Sequence, residues 1–367
     1  MTQPPAPGRP PHPTPAEPTR PVVLPSPTAP AAPPAPPQAP PQGPPPQGPP
    51  MAPVPPQGPP IAGPLPPPGA PHLDPAIAGL TAVPARRRRL FGRGVDDLDS
   101  EPSPAELEVL RASLATPVPS PRRIGVVAMK GGVGKTTLAV LLASTLARSR
   151  PDPVLLFDAD TTFGSMALRT GAPQAAGVSD LARAGDPGRF DVLATALGRS
   201  PDGVFVLPSG RDPEQSAALD EPTYVAAMNA VYRWFPVMVT DCGAGVASPL
   251  MRRVVSGCHT LVLATSPSID GLLATHNVLR WLVERGSADL ARRSVVALTD
   301  VPAQGAVVDL AEARRRFAGA VGDVVTVPSD RALTVGGPVQ LDALAPRTRA
   351  AAVRLAAGVL NAALTAP

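Results

Sequence analysis

The stretch Lys130-Gly131-Gly132-Val133-Gly134-Lys135-Thr136-Thr137 contains both lysines of this 367-residue chain. All other basic side chains among the 33 lysines and arginines are arginines. A chain that avoids lysine elsewhere and keeps it twice here indicates positions that guanidinium cannot fill. A compact ammonium fits among phosphate oxygens inside a nest of backbone N–H groups, whereas the planar fork of arginine does not. The stretch therefore predicts a nucleotide phosphate site.

The other residues of this stretch have the spacing of a phosphate-binding P-loop. We expect its glycines to let the backbone turn N–H groups toward the phosphates. Lys135 then reaches the β- and γ-phosphates, the Thr136 hydroxyl ligates Mg²⁺, and Thr137 is placed to bond the α-phosphate. The residues predicted to bind the nucleotide here are Gly131, Gly132, Val133, Gly134, Lys135, Thr136 and Thr137.

From residue 122 onward, apolar runs of strand type alternate with helical segments. Because continuous apolar strands interleaved with helices are typical of a parallel sheet covered on both faces, we predict an α/β, doubly wound, mostly parallel sheet. The candidate strands are 123–129, 153–158, 204–207, 236–240, 260–265, 293–298 and 323–327. The candidate helices are 135–148, 221–233, 247–256, 270–285, 306–318 and 345–364.

The composition divides the chain into three parts. Residues 1–102 hold most of the 56 prolines and predict a disordered, extended arm that ends in a basic run and an acidic run. This arm is either a solubilising spacer or a docking arm for protein partners. Residues 103–121 predict a short helix, opened by a capping box at Ser103 and Glu106, and a linker. Residues 122–367 form the sheet domain.

Two further strands end in carboxylates. Asp158 and Asp160 close the second apolar strand, at the edge of a doubly wound sheet where ligands bind. A helix start without a catalytic role is the alternative for this pair. Asp241 closes the strand 237–241 and has a Walker B position, holding the water shell of Mg²⁺. We expect the backbone turn at 243–245 to sense the γ-phosphate.

The form K-G-G-x-G-K-T-T, with Lys130 five residues before Lys135, resembles the deviant Walker A motif of the ParA/MinD family of dimerising P-loop ATPases. The resemblance implies ATP and Mg²⁺ as ligands and ATP hydrolysis as the activity. It also implies that Lys130 crosses a homodimer interface to the partner's nucleotide and acts in catalysis there, much as an arginine finger does. The predicted catalytic residues are thus Lys130, Lys135 and Asp160.

The same resemblance gives roles to the remaining site residues. It implies that Asp160 positions the attacking water and that Asp158 joins Thr136 and Asp241 around Mg²⁺. The run 327–330 is similar to the V-P-x-D loop that lies over adenine in the family, which makes Pro328 and Asp330 base-binding candidates. Asp300 stands where many relatives have an asparagine that reads the base edge.

The proline-rich arm, the run 240–245 and the C-terminal segments resemble the MinD-like ATPases found with actinobacterial type VII (ESX) secretion systems. This implies a slowly hydrolysing ATP switch for secretion or spatial organisation, with partners recruited through the arm. The alternatives are a partitioning ATPase that binds DNA nonspecifically and a septum-site ATPase at the membrane.

The charge pattern supports neither alternative. The net charge of +4 is small for a nucleic-acid-binding protein, and the last helix lacks the cations of a membrane-inserting tail. No apolar run reaches the length of about 20 residues that a membrane span needs, and no signal peptide is visible. Two cysteines are too few for a disulfide framework. We expect a cytoplasmic protein that can lie at the inner face of the membrane.

Overall fold

The structure, a computed structural model, describes residues 82–83, 102–162, 164–173, 176–299 and 307–367. The predicted arm with its basic and acidic runs lies outside these residues, apart from Ala82–Val83 and Pro102, and so does Asp300. The arm, the boundary at residue 102 and the partners of the arm therefore stay predictions.

In the part of the chain that the structure describes, eight strands form the main sheet and two more form a small separate one. The strands of the main sheet are β2 (Arg122–Ala128), β3 (Val154–Ala159), β4 (Gly198–Arg199), β5 (Phe205–Leu207), β6 (Val237–Ala244), β7 (Thr260–Thr265), β8 (Val295–Thr299) and β10 (Asp323–Val327). Their order is β10-β8-β7-β2-β6-β3-β5-β4, and every neighbouring pair is parallel except β4 with β5. The separate sheet pairs β1 (Ala82–Val83) antiparallel with β9 (Val307–Val308).

Helices cover both faces of this sheet. They are α1 (Pro104–Leu114), α2 (Lys135–Ser149), α3 (Met166–Thr170), α4 (Val178–Ala184), α5 (Phe190–Ala196), α6 (Pro213–Ala217), α7 (Glu221–Val231), α8 (Pro249–Ser256), α9 (Ile269–Glu284), α10 (Ala288–Arg293), α11 (Leu310–Phe317), α12 (Arg331–Thr334) and α13 (Pro346–Leu364). Short 3₁₀ turns lie at Tyr232–Trp234 and Leu341–Ala343. The prediction of a doubly wound α/β fold is confirmed.

Two apolar cores, one on each face of the sheet, hold the helices in place. On one face Phe157 and Phe235 are fully buried beneath α4, α5 and α7 to α11. On the other face α1, α2 and α13 pack through side chains such as Leu114, Leu141 and Leu355. Successive residues of β2 alternate between the two cores, as the period of two of a strand requires. The apolar face of α13 is thus buried against the sheet, as predicted.

Two predicted boundaries are wrong, and four short helices were not predicted. Strand β6 runs on to Ala244, because its backbone keeps pairing with β2 and β3, so the predicted glycine turn begins only at Gly245. Helix α11 starts at Leu310 instead of residue 306, because Asp309 caps it by accepting from Ala311 N at 2.9 Å. The short helices α3 to α6, of five or seven residues each, were not predicted. Segments this short carry too few residues to show a helical period.

Helix α1 is fastened to the sheet domain by a buried arginine. The predicted capping box is present: Glu106 N donates to Ser103 Oγ at 3.3 Å, and Ser103 N donates to Glu106 Oε2 at 2.7 Å. At its other end, Arg150 Nη1 donates to the carbonyl oxygens of Leu114 at 2.6 Å and Thr116 at 3.0 Å. These bonds satisfy carbonyls that a helix end leaves without partners. Helix α1 thus packs as part of the sheet domain.

Candidate functional site

The loop between β2 and α2 carries the predicted P-loop. Gly132 and Gly134 have φ of 80° and 83°, a left-handed conformation that favours glycine, whereas Gly131 does not. Gly134 is the N-cap residue of α2 and has no side chain. No capping side chain therefore accepts a hydrogen bond from the first N–H groups of α2. A helix start of this kind, with its positive dipole end, is suited to phosphate. The backbone here fits the predicted ligand.

Lys135 lies between two carboxylates that come from different strands. Its Nζ donates to Asp241 Oδ1 at 2.6 Å and to Asp160 Oδ2 at 3.1 Å, and only 11% of its side chain is exposed. Burial alone would lower the pKa of Lys135, but the two carboxylates outweigh burial and raise it. The site therefore presents a fixed cation at the start of α2.

Asp241 is buried at the end of β6 and touches the P-loop twice. Besides the bond from Lys135, its carboxylate accepts a hydrogen bond from the Thr136 hydroxyl. Burial raises the pKa of Asp241, and the contacts with Lys135 and Thr136 oppose that rise. The predicted Walker B acid and the predicted Mg²⁺ ligand Thr136 are thus brought together.

Asp158 lies beside Asp241 on the neighbouring strand, but both its oxygens are engaged. Oδ1 accepts from Asp160 N at 3.0 Å, and Oδ2 accepts from the Ser209 hydroxyl at 3.3 Å. Burial, together with the negative charge of Asp241, raises the pKa of Asp158 to about 7. Without a bound metal ion, the carboxyl group of Asp158 holds the backbone of Asp160, and its role around Mg²⁺ stays a prediction.

Asp160 is less buried and faces the glycine-rich end of β6. Its Oδ1 accepts from the backbone N and the hydroxyl of Thr162, at 3.0 and 2.6 Å. A side chain at Gly243 would come within 3.5 Å of the same oxygen. That distance is an ordinary van der Waals contact, so Gly243 lies directly beside the Asp160 carboxylate, at the edge where a nucleotide would lie.

A cavity of about 500 Å³ adjoins the P-loop. Its lining includes Thr137 and Leu138 of α2, the P-loop residues 132–134 and the run 327–330, so the predicted base loop does lie beside the phosphate site. Asp330, however, uses both oxygens within the chain, accepting from Ala332 N at 2.9 Å and Ala345 N at 2.8 Å. Its carboxylate holds the loop in shape and has no oxygen free of backbone bonds.

Two residues of this region were missed by sequence reasoning. Thr299 donates from its hydroxyl to Val133 O at 2.8 Å and to Thr265 O at 3.1 Å, which ties the P-loop to β7. Arg169 lines the cavity and donates to Leu333 O at 2.8 Å. The position of Thr299 at the end of a strand could have marked it as a site residue. Arg169 could not be found in this way, because it lies on α3, a helix that was not predicted.

Lys130 forms an ion pair with Asp270 at the start of α9. The side chains of Lys130 and Asp270 are 46% and 66% exposed. The bond from Lys130, with a second from the Ser268 hydroxyl, lowers the pKa of Asp270 to about 2. Within its own chain, Lys130 therefore pairs with a carboxylate on α9.

In the part of the chain that the structure describes, no group of three or more His, Cys, Asp or Glu side chains is arranged to hold a metal ion. Mg²⁺ ordinarily uses one or two protein oxygens, with phosphates and water completing its shell. Thr136 and Asp241 are suitable ligands of that kind. The residues present fit a nucleotide with Mg²⁺ better than a metal ion held by protein alone.

Comparison with known proteins gives a consistent result. Residues 124–307 match the family model described as the CobQ/CobB/MinD/ParA nucleotide binding domain. The chain is 32% identical over 239 residues to the ESX-1 secretion-associated protein EspI of Mycobacterium tuberculosis. That match covers 65% of this chain but only 36% of EspI, so the chain spans about a third of the curated relative's length.

Solved structures support the fold. The cell division ATPase MinD of Pyrococcus furiosus matches with a TM-score of 0.52 and 24% identity, over 65% of this chain and 98% of that one. The septum site-determining protein MinD of Pyrococcus horikoshii, complexed with Mg-ADP, matches with a TM-score of 0.52 and 21% identity, over 64% of this chain and 94% of that one. Likenesses at this identity concern the fold alone. Among the described residues, no helix is both long and apolar enough to cross a membrane.

Proposed function

The chain belongs to the CobQ/CobB/MinD/ParA nucleotide-binding domain family, and we propose that it is an ATP-binding, slowly hydrolysing switch that dimerises with ATP. The observation that carries the proposal is the position of Lys135, buried between Asp160 and Asp241 at a helix start without a side-chain cap. A buried cation at such a start attracts a polyphosphate, because charge and backbone N–H groups converge there.

Each residue of the site has its own role in the proposed reaction. Lys135 exchanges its carboxylate partners for phosphate oxygens, and Thr136 with Asp241 holds the metal shell. When bound, Mg²⁺ neutralises the charge of the phosphates. The exchange frees Asp160 Oδ2, which can then orient a water molecule. Asp158 acts indirectly, because its bond to Asp160 N fixes the backbone that presents the Asp160 carboxylate.

The cavity beside the P-loop is the proposed base site. Pro328 and the neighbouring backbone supply its contacts with the base, since the Asp330 carboxylate is engaged in holding the loop. Among the described residues that line this cavity, Arg169 carries the one positive charge. Adenine suits this cavity because apolar side chains such as Leu138 and Leu141 line it.

Lys130 is the proposed link between nucleotide and dimer. It lies five residues before Lys135, is about half exposed, and pairs with Asp270 instead of any group around Lys135. An exposed pair of this kind stabilises a chain by less than about 1 kcal/mol. Lys130 is therefore free to exchange Asp270 for the phosphates of a partner subunit at little cost.

The biological setting is proposed from the likeness to EspI, which is described as secretion-associated. We infer that the switch serves type VII secretion and that protein partners bind through the proline-rich arm. The alternative of nonspecific DNA binding needs an arginine-rich face, and its candidates are Arg314, Arg315, Arg316, Arg347 and Arg349. It has less support, because members of this group are engaged within the chain. Arg315 and Arg316 pair with Glu312, and Arg349 donates to Leu344 O at 2.5 Å.

Nucleotide binding by matched variants tests the proposal. We expect the wild-type chain to bind fluorescent ATP with Mg²⁺ and to hydrolyse ATP slowly. Lys135→Arg should weaken binding by at least tenfold (about 1.4 kcal/mol), because the broader guanidinium does not fit between the two carboxylates and the backbone nest. The control is Arg148→Lys, a cation swap on the exposed end of the same helix, which should bind as wild type does. Unchanged affinity in Lys135→Arg would contradict the proposed site.

A further inference from the structure

Arg169 of helix α3, which lines the cavity beside the P-loop, is bonded to a neighbouring segment at two points. Its Nη1 donates to Leu333 O at 2.8 Å, and its own carbonyl oxygen accepts from Val339 N at 2.8 Å. Between these two points the chain runs through the end of α12 and through two adjacent glycines. We call residues 333–339 the bridged segment, because one arginine holds both of its ends.

Helix α3 is a firm support for these two bonds. Met166 at its start is 1% exposed and belongs to the apolar core that α2 also covers. Thr170 is buried as well, and its hydroxyl donates to Met166 O at 2.9 Å. Gly171 ends α3, and a side chain there would lie 3.4 Å from Pro338 Cβ, in van der Waals contact. The end of α3 therefore lies close to the bridged segment and is itself anchored in the core.

Helix α12 depends on support from outside itself. It has four residues, and so short a helix gains little stability from its own hydrogen bonds. Asp330 caps its start, where the carboxylate accepts a backbone hydrogen bond at 2.9 Å. Beyond its end, Val335 is 77% exposed, and a side chain at Gly336 or Gly337 would meet no atom of the described chain within 4 Å. The end of α12 is thus followed by exposed chain, and the bond from Arg169 fixes it.

The position of α12 sets the shape of the cavity. Leu333 and Thr334 of α12 line it, together with Pro328, Leu138 and Leu141. A base binds in such a cavity through close contact with apolar walls, so a wall that shifts lowers the affinity for the base. The phosphate site is different, because its N–H groups belong to the P-loop between β2 and α2. Movement of α12 should therefore affect the base and spare the phosphates.

We propose that Arg169 is a positioning residue for the nucleotide base, an inference that rests on the proposed function. The bond to Leu333 O holds α12 at the cavity, and through α12 it raises the affinity for adenine. The phosphates are bound by Lys135 and the P-loop. Loss of the Arg169 side chain should therefore weaken the binding of ATP and leave the binding of a triphosphate without a base unchanged.

Calorimetric titration of the full-length chain with Mg²⁺-ATP and with magnesium tripolyphosphate separates the two contributions. Tripolyphosphate has three linked phosphates, as ATP has, but no base. The wild-type chain should bind ATP more tightly than tripolyphosphate. Arg169→Met keeps an apolar stem but cannot donate to Leu333 O, so it should bind ATP about tenfold more weakly and tripolyphosphate as the wild type does. Its backbone bond with Val339 is unaffected, so we expect the variant to fold.

The matched control is Arg331→Met, which removes an exposed arginine at the start of α12 that does not line the cavity. It should bind both ligands as the wild type does. Unchanged ATP affinity in Arg169→Met would overturn the inference. An equal loss of ATP and tripolyphosphate affinity would also overturn it, because Arg169 would then act on the phosphates. A wild-type chain that binds neither ligand would instead contradict the proposed function itself.

Hydrogen exchange without nucleotide reports on α12 directly. Val335 N donates to Arg331 O at 3.3 Å, so its amide is protected only while the end of α12 keeps its shape. Amides of the bridged segment should exchange faster in Arg169→Met, whereas amides of α2 should exchange as in the wild type. Unchanged exchange in the bridged segment would mean that α12 is held without Arg169, and would overturn the inference.

Discussion

Among single residues, the three aspartates near Lys135 differ in what they can do, although the sequence presents them alike. Asp241 is bonded to Lys135 and Thr136, Asp160 is also bonded to Lys135, and Asp158 is bonded to Asp160 N instead. Burial next to Asp241 raises the pKa of Asp158 to about 7. A carboxyl group with so high a pKa costs free energy to ionise, and Asp158 is suited to supporting its neighbour Asp160.

The titration of Asp158 gives a prediction about stability. An aspartate in the unfolded chain titrates near 3.8, whereas Asp158 in the folded chain titrates near 7. Between these values the folded state holds a proton that the unfolded state has lost, so the free energy of unfolding falls as the pH rises. Asp158→Asn keeps the bonds to Asp160 N and Ser209 without the charge. At pH 8 it should stabilise the nucleotide-free protein by about 1 to 4 kcal/mol, with no gain at pH 4.

Denaturant unfolding at pH 4, 6 and 8 measures this difference. The control is Asp186→Asn, which removes a surface carboxylate that pairs with Arg233 and should bring no comparable gain at pH 8. A gain for Asp158→Asn that is equal at all three pH values would mean that Asp158 is already charged in the folded protein at low pH, contrary to its environment.

The contact of Lys130 with Asp270 gives a second prediction at this scale. If the dimer requires Lys130 to leave Asp270, removal of the carboxylate favours the dimer. We expect Asp270→Asn to lower the concentration for half-dimerisation in Mg²⁺-ATP by up to about fivefold, within the strength of an exposed ion pair. The control is Asp289→Asn, which breaks an equally exposed pair with Arg292 at the start of α10. An equal effect of both substitutions, or none, would contradict the competition.

Among the elements, strands were predictable and short helices were not. A buried parallel strand such as β7 is apolar throughout and bounded by polar residues, so its limits, 260–265, could be read directly. Strand β6 passes Asp241 because pairing with two neighbours extends it, and pairing is not visible in one segment. The P-loop and the carboxylates around it could be predicted, because they lie where apolar strands end. The engagement of Asp158, Asp330 and Lys130 depends on residues distant in sequence, such as Ser209, Ala345 and Asp270.

At the level of secondary-structure elements, helix α1 gives a prediction about two truncated chains. A chain of residues 102–367 should fold and bind nucleotide as the full-length chain does. A chain of residues 122–367 lacks α1, which exposes the contacts of Leu114 and deprives Arg150 of two carbonyl acceptors. We expect it to lose at least about 3 kcal/mol of stability. Thermal melts followed by circular dichroism compare the three chains. If both truncations melt as the full-length chain does, α1 is not part of the domain.

At the level of the whole molecule, the surface around Lys130 suits the proposed ATP-dependent dimer. The nucleotide edge of the sheet carries Lys130 half exposed, and the nearby Met129, Ile269 and Leu273 are apolar side chains that are 40%, 41% and 47% exposed. Apolar side chains around an exposed lysine suit a surface that another subunit covers. The proline-rich arm, if it recruits partners, would then act on the dimer that ATP has formed.

Sedimentation velocity with Mg²⁺-ATP decides whether ATP joins two chains through Lys130. We expect the wild-type chain to be a monomer without nucleotide and a dimer with Mg²⁺-ATP, and Asp160→Ala to stay dimeric because the water is no longer oriented. Lys130→Ala should remain monomeric at every ATP concentration while it still binds the nucleotide. A Lys130→Ala chain that dimerises with ATP as the wild type does would contradict the account and leave a P-loop ATPase whose first lysine has no role between subunits.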